Sequence, residues 1–224
     1  MHKCLLILIL AICPVTCAAN FLSFTFDTDL QGWMGSDSGA PAGPVWQEVG
    51  GNPGGYYSLS DTYFSEGTNS GVAQAWTHVD AGSLTLLSSL SLDVRVSNPI
   101  NVAGYSLTAY LTGYDPATGA FAWSSGTLPT PTSGWQTISA PLNAFGCVAN
   151  QGNCGSFSEI NSLWIDLTFS GQDNSSPASV SLDLDNVTLT TNTPEPSLTA
   201  IVGAVLIAFG TLLSGKRPQQ TEAN

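Results

Sequence analysis

An all-β sandwich is the fold class predicted for residues 20–192, and three observations predict it. Apolar and polar residues alternate with a period of two in several separate stretches. Between those stretches Gly, Pro, Ser, Thr and Asn recur, with 23 Gly and 13 Pro in 224 residues, which is the composition of many short strands joined by turns. No stretch between the two apolar ends shows a helical period. With no internal repeat, long linker or second composition regime, one domain is the economical reading, and it is large enough to fold alone.

Residues 1–19 read as a signal peptide. Lys3 precedes the apolar run Leu5 to Ile12, and "PVTCAAN" supplies small residues at Cys17 and Ala19 for cleavage before Asn20. Removing them leaves two cysteines, Cys147 and Cys154 in "CVANQGNC", for which a disulfide is expected in an exported chain. Such a short ring contributes about 2 to 3 kcal/mol and pins one loop.

The strands follow in order. In "LSLDVRVS", Leu90, Leu92, Val94 and Val96 alternate with Ser91, Asp93, Arg95 and Ser97, the pattern of a strand with one buried face. In "YSLTAYLTGY", Leu107, Ala109 and Leu111 face one way and Ser106, Thr108, Tyr110 and Thr112 the other. In "LWIDLTFS", Leu163, Ile165, Leu167 and Phe169 are inward, and Trp164, Asp166 and Thr168 outward. The last strand, "SVSLDLDNVTLT", changes phase: Val180, Leu182 and Leu184 are even, Val187 and Leu189 odd. A one-residue slip is how a β-bulge appears in sequence, and this one falls at Asp185 and Asn186.

Charge narrows the function classes. The chain has 16 acidic residues against 4 Lys and Arg, a net charge of −12, and Arg95 is the one cation between residues 20 and 193. That balance repels nucleic acid and anionic lipid and suits a soluble or divalent-cation-binding domain outside the cell.

The opening "FTFDTDLQGW", then "VWQEVGGNPGGYYSLSD", "SLSLDVRVS", "GWQTISAPL" and the closing "DLDNVTL" occur in an order that resembles the bacterial form of the laminin B (domain IV) module, over most of residues 21–190. The resemblance implies a jelly-roll β-sandwich, similar to many carbohydrate-binding modules, often with a structural calcium joining first and last strands. Carried onto this chain, the calcium candidates are Asp27 and Asp185. Calcium wants six to eight oxygen ligands, and two carboxylates with loop carbonyls at a bulge could supply them; the alternative is that both face solvent or cap turns.

An enzyme is not expected. The exported body has one His, His78 in "AWTHVD", too few for a triad with a base and an orienter or for a metal cluster. Carboxyl pairs for glycoside hydrolysis are too abundant to mean anything. Binding is better supported: Tyr110, Tyr114 and Trp164, with Asp166, stand as candidate ligand-binding residues, and Phe121 and Trp123 add aromatic surface that stacks on sugars. The alternative is a second apolar layer under loops. Trp33, Trp46, Trp76 and Trp135 are read as core or turn-packing residues. The expected function is non-catalytic binding of polysaccharide or another envelope component; the alternative is a structural or adhesive matrix protein without a ligand site, and a polysaccharide-degrading enzyme ranks below both.

The C-terminus gives the address. Leu198 to Gly215 carries no charge and as a helix spans roughly 27 Å, close to a bilayer core. Lys216 and Arg217 follow it and place the short tail 218–224 in the cytoplasm, with the β-domain outside. The order Pro194, Glu195, Pro196, apolar span, Lys216, Arg217 resembles the PEP-CTERM sorting signal of Gram-negative bacteria, covering 193–217. It implies recognition by exosortase after signal-peptidase export, removal of the anchor, and release to the cell surface or an exopolysaccharide matrix. The family usually ends in several arginines, and here only Lys216 and Arg217 appear, so a retained anchor is the alternative.

Overall fold

Twelve strands build two six-stranded antiparallel sheets in the computed structural model, which describes residues 21–36, 43–63, 70–80, 87–115, 120–148, 159–173 and 176–191. All of these belong to one compact unit, Ala19–Asn192. The signal-peptide segment, the Pro-Glu-Pro motif and the apolar span 198–215 lie outside the described residues. Among the described residues no helix is long and apolar enough to cross a membrane.

The first sheet is organised around the last strand, β12 (Ala178–Thr191). On one side it pairs with β6 (Leu87–Ile100), which pairs in turn with β9 (Gln136–Pro141). Its other side is shared. Ala178 to Leu184 pair with β4 (Tyr56–Tyr63), which carries β3 (Val45–Gln47) at the edge, and Val187 to Thr190 pair with β1 (Phe21–Phe24). The two residues between those partners are Asp185 and Asn186. There the register against β6 shifts, and Asn186 has φ 47°. The bulge expected from the apolar phase change is therefore present, and it marks the junction where one neighbour is exchanged for another.

The second sheet runs β10 (Gly146–Val148), β8 (Ala120–Leu128), β7 (Val102–Asp115), β11 (Glu159–Gly171), β5 (Ser70–His78), β2 (Met34–Ser36). A 3₁₀ turn, Leu142–Ala144, links β9 toward β10.

The core lies between the sheets and comes from the alternation. Leu90, Leu92, Val94 and Val96 of β6 and Val180, Leu182 and Leu184 of β12 face Leu107, Ala109 and Leu111 of β7 and Leu163, Ile165, Leu167 and Phe169 of β11, all buried. Beside them Phe26, Trp33 and Tyr57 form an aromatic cluster with ring centres about 6 Å apart, mostly edge to face. Trp33 and Trp46 are packing residues, as expected. Trp76 is not: it lies half-buried on the outer face of β5, opposite Trp164. It stands out of phase with the buried Ala73, Ala75 and Thr77, which places it outward, a period-two signal that outweighs its apolar size.

Candidate functional site

The outer face of the second sheet carries the candidate site. Register sets Trp76 of β5, Trp164 of β11 and Tyr110 of β7 side by side across three adjacent strands. One pleat away, Gln74, Asp166 and Thr108 form a second row across the same strands. Side chains two apart on a strand share a face, so an aromatic row and a polar row run in parallel.

A groove of about 450 Å³ opens on this face, lined by Tyr110, Trp164 and Asp166 together with Gln74, Trp123 and Thr112. Three of the four ligand-binding candidates thus meet at one place. The fourth, Tyr114, is on β7 opposite Phe121, and its side chain, like that of Phe121, lies outside the described residues. Gln74, Trp123 and Thr112 join the site through strand pairing; Thr112 is on the face the alternation assigned outward and Trp123 was read as aromatic surface, whereas Gln74 carried no signal readable beforehand.

Trp164 is fixed from two directions. Its ring stacks on that of Trp76 with centres 5.0 Å apart and planes 14° from parallel. Its indole N–H donates to Ser162 Oγ at 3.0 Å, and Ser162 is in turn in short hydrogen-bond contact with the Thr112 hydroxyl. His78 packs edge-on against Trp76, with centres 5.4 Å apart. Rings held this way lose little freedom on binding, which is what a stacking platform needs.

Asp166 lies at the floor, 8% exposed. Gln74 Nε2 donates to its Oδ2 at 2.9 Å, while Oδ1 has no hydrogen-bond partner. Burial pushes its carboxyl above the ordinary range, with the Gln74 hydrogen bond opposing. The Tyr110 hydroxyl is also pushed up, first by burial and then by the nearby Asp166 charge.

A second polar constellation surrounds the β12 bulge. Asp185 is fully buried and accepts from the backbone N–H groups of Asn52 at 2.5 Å and Asn186 at 2.7 Å. Burial raises its carboxyl above the usual range, with further upward pressure from Asp93 and Asp27, while the two N–H groups pull the other way. The turn Gly51 to Gly55 closes on it: a Cβ at Gly51 would lie 2.8 Å from Asp185 Oδ2, and one at Gly54, where φ is +94°, would lie 2.5 Å from Asp27 Oδ1. The sequence-predicted pair Asp27 and Asp185 therefore reach the same turn. Asn186 Nδ2 and Asn52 Nδ2 both donate to Asp93 Oδ2, at 2.8 and 3.2 Å.

On that sheet's outer face, Arg95 Nε donates to Asp183 Oδ2 at 2.8 Å, and its guanidinium lies against the rings of both Tyr56 and Trp135, which meet edge to face. Trp135 thus packs on a turn, as expected, with its N–H on Gly50 O at 2.7 Å. Cys147 stands on β10; Cys154 lies outside the described residues.

No protein-family model and no curated protein matches the chain. Solved structures do. The chain is similar to the family 11 carbohydrate-binding module of the cellulosomal cellulase Lic26A-Cel5E of Clostridium thermocellum, at 17% identity, covering 78% of this chain and 96% of that one, with a TM-score of 0.51. It is similar also to a family 30 carbohydrate-binding module, at 15% identity, covering 79% of this chain and 91% of that one, with a TM-score of 0.51. The residues from β1 to β12 therefore have the β-sandwich fold seen in carbohydrate-binding modules.

Proposed function

We propose that this is an exported, non-catalytic surface or matrix protein whose second sheet binds polysaccharide. The carrying observation is the groove in which Tyr110, Trp123 and Trp164 meet the buried Asp166. Sugar rings have apolar faces and hydroxyl edges, so fixed aromatic rings beside a hydrogen-bonding row match their two kinds of surface. The two similar structures are named as carbohydrate-binding modules, which supports the same reading. A binding role fits better than hydrolysis because the described lining holds one carboxyl, Asp166, whereas most glycoside hydrolases use two flanking the scissile bond.

Export by the 1–19 signal peptide and sorting by exosortase through Pro194, Glu195, Pro196, Lys216 and Arg217 belong to the same proposal, as does a Cys147–Cys154 bridge. So does a calcium at the β12 bulge. Among the described residues no group of three or more His, Cys, Asp or Glu is placed to hold a metal ion, so the ion would rest on Asp27, Asp185 and backbone oxygens. The all-oxygen donors crowded around Gly51 and Gly54 are of the kind calcium takes. Its contribution would be to offset the repulsion among Asp27, Asp93 and Asp185 and to tie the segment that follows β1 to β12.

The test is a glycan array probed with the full chain and with Trp164→Ala. Retention on at least one polysaccharide, weakened by about tenfold or more in the variant, is expected for the loss of a central aromatic contact. Absence of retention on every cell-surface polysaccharide tried would sink the proposal.

A further inference from the structure

Between its two ends the chain has one cation, Arg95, and the manner of its binding is instructive. Its guanidinium carbon lies 4.7 Å from the Tyr56 ring centre and 4.6 Å from that of Trp135, and its Nε reaches Asp183 Oδ2 at 2.8 Å. Asp183 is 1% exposed. Two ring faces and a buried carboxylate together replace the water that the cation gives up.

The groove on the opposite sheet assembles the same kinds of group without a cation. Tyr110, Trp123 and Trp164 supply rings from three neighbouring strands, and Asp166 supplies a buried carboxyl with one oxygen unpartnered. No Lys, Arg or His belongs to the described lining, and His78 packs against Trp76 instead.

We propose that the groove takes a cationic amino sugar of a polysaccharide, its ammonium seated among Tyr110, Trp123 and Trp164 and paired with Asp166. This rests on the polysaccharide reading above and names the class of sugar. A neutral hydroxyl satisfies Oδ1 as an acceptor but does nothing for the charge on a desolvated carboxylate, which an ammonium offsets. The net charge of −12 favours the approach of a cationic polymer and repels a uronate-rich one.

A glycan suits this face better than a lysine-bearing peptide because the polar surface continues along the strands. A second depression of about 230 Å³ is lined by the hydroxyl residues Ser70, Ser106, Thr168 and Ser170 beside Tyr105 and Phe169. Ser170 lies four positions beyond Asp166 on β11, roughly 13 Å along the strand. Successive hydroxyl side chains there match a chain of hydroxylated rings.

The experiment compares two ligands that differ at one group. The full chain is titrated calorimetrically with fully deacetylated glucosamine oligomers, at a pH where the amines are charged, and with N-acetylated oligomers of equal length. Tighter binding of the deacetylated oligomer by roughly tenfold is expected, with the advantage shrinking as salt is added. Asp166→Asn, checked for native near-ultraviolet circular dichroism, should abolish the advantage while both oligomers still bind through the rings. Equal affinity of the wild-type chain for the two oligomers overturns the amino-sugar assignment and leaves the polysaccharide reading standing. Binding of neither oligomer, nor of any other glycan, overturns both. Tighter binding of a lysine-rich peptide than of the amino oligomer also overturns the assignment.

Discussion

Two aspartates on opposite sheets show how the same side chain serves stability in one place and sets a site in another. Asp183 is 1% exposed and both its oxygens are used, Oδ1 by Ser58 at 2.6 Å and Oδ2 by Arg95 at 2.8 Å. Asp183→Ala leaves a guanidinium, itself only 22% exposed, without its carboxylate, and a serine hydroxyl without an acceptor. Breaking such a pair should cost about 2 to 3 kcal/mol, less than a fully buried pair because water still reaches Arg95. Asp166 is 8% exposed with an unpartnered oxygen. Asp166→Asn keeps an acceptor for Gln74 and removes a desolvated acid, so stability should change by less than about 1 kcal/mol or increase. Urea denaturation of both variants checks the contrast. Equal destabilisation by the two would show that the Asp166 carboxylate supports the fold as the Asp183 carboxylate does. Tyr110, Trp164 and Asp166 were legible as a set because all three stand out of phase with buried leucines. Asp183 was not: it shares parity with Asp185 at the bulge, and its partners Ser58 and Arg95 come from strands more than eighty residues away in sequence.

At the scale of the element, strand β12 concentrates the information. Its apolar phase change announced the bulge, because period-two alternation has no other way to accommodate an extra residue. What alternation cannot carry is partner identity. That β12 pairs with β6 on one side and with both β4 and β1 on the other depends on register between distant segments, as does the placing of β11 between β7 and β5. Trp76 was misplaced for a related reason: apolar bulk suggested core, whereas its strand neighbours fixed it outward, against Trp164. The bulge also makes a testable pH statement. Asp185 is raised in the folded state, chiefly by burial and then by Asp93 and Asp27. Its ionised form therefore costs stability at neutral pH. As pH falls through the raised folded value toward the ordinary carboxylate range, the native state takes up the proton first and that cost is relieved. Calcium at Asp27 and Asp185 would bind the ionised form, so added calcium should raise Tm at neutral pH, and the increment should vanish as pH falls through the same window. Melting curves with calcium and with chelator, at several pH values, measure this directly. An identical Tm in calcium and chelator at neutral pH would remove the metal from the proposal.

For the whole molecule, the two sheets divide the work. On the outer face of the first, Ser58 bonds Asp183, Ser60 bonds Ser181, Thr137 bonds Asp93 and Ser139 bonds Ser91. The second carries the groove. The proposed export and sorting signals lie in segments outside the described residues. Their composition nevertheless makes the outcome measurable. If the signal peptide is cleaved before Asn20 and the anchor is removed near Pro194 to Pro196, Lys3, Lys216 and Arg217 are all lost and Arg95 is the only tryptic site left. Its guanidinium packs against two rings and pairs with the buried Asp183, so the native chain should resist trypsin, and the denatured mature chain should yield two peptides. The second would begin at Val96 and end close to the Pro-Glu-Pro motif, with Cys147 and Cys154 resisting alkylation until reduced. Mass spectrometry of the protein recovered from the cell surface or culture medium reads this end directly. A second peptide that runs through the apolar span to Lys216 would mean that the span stays as an anchor, and that the Pro-Glu-Pro motif is not a processing signal in this chain.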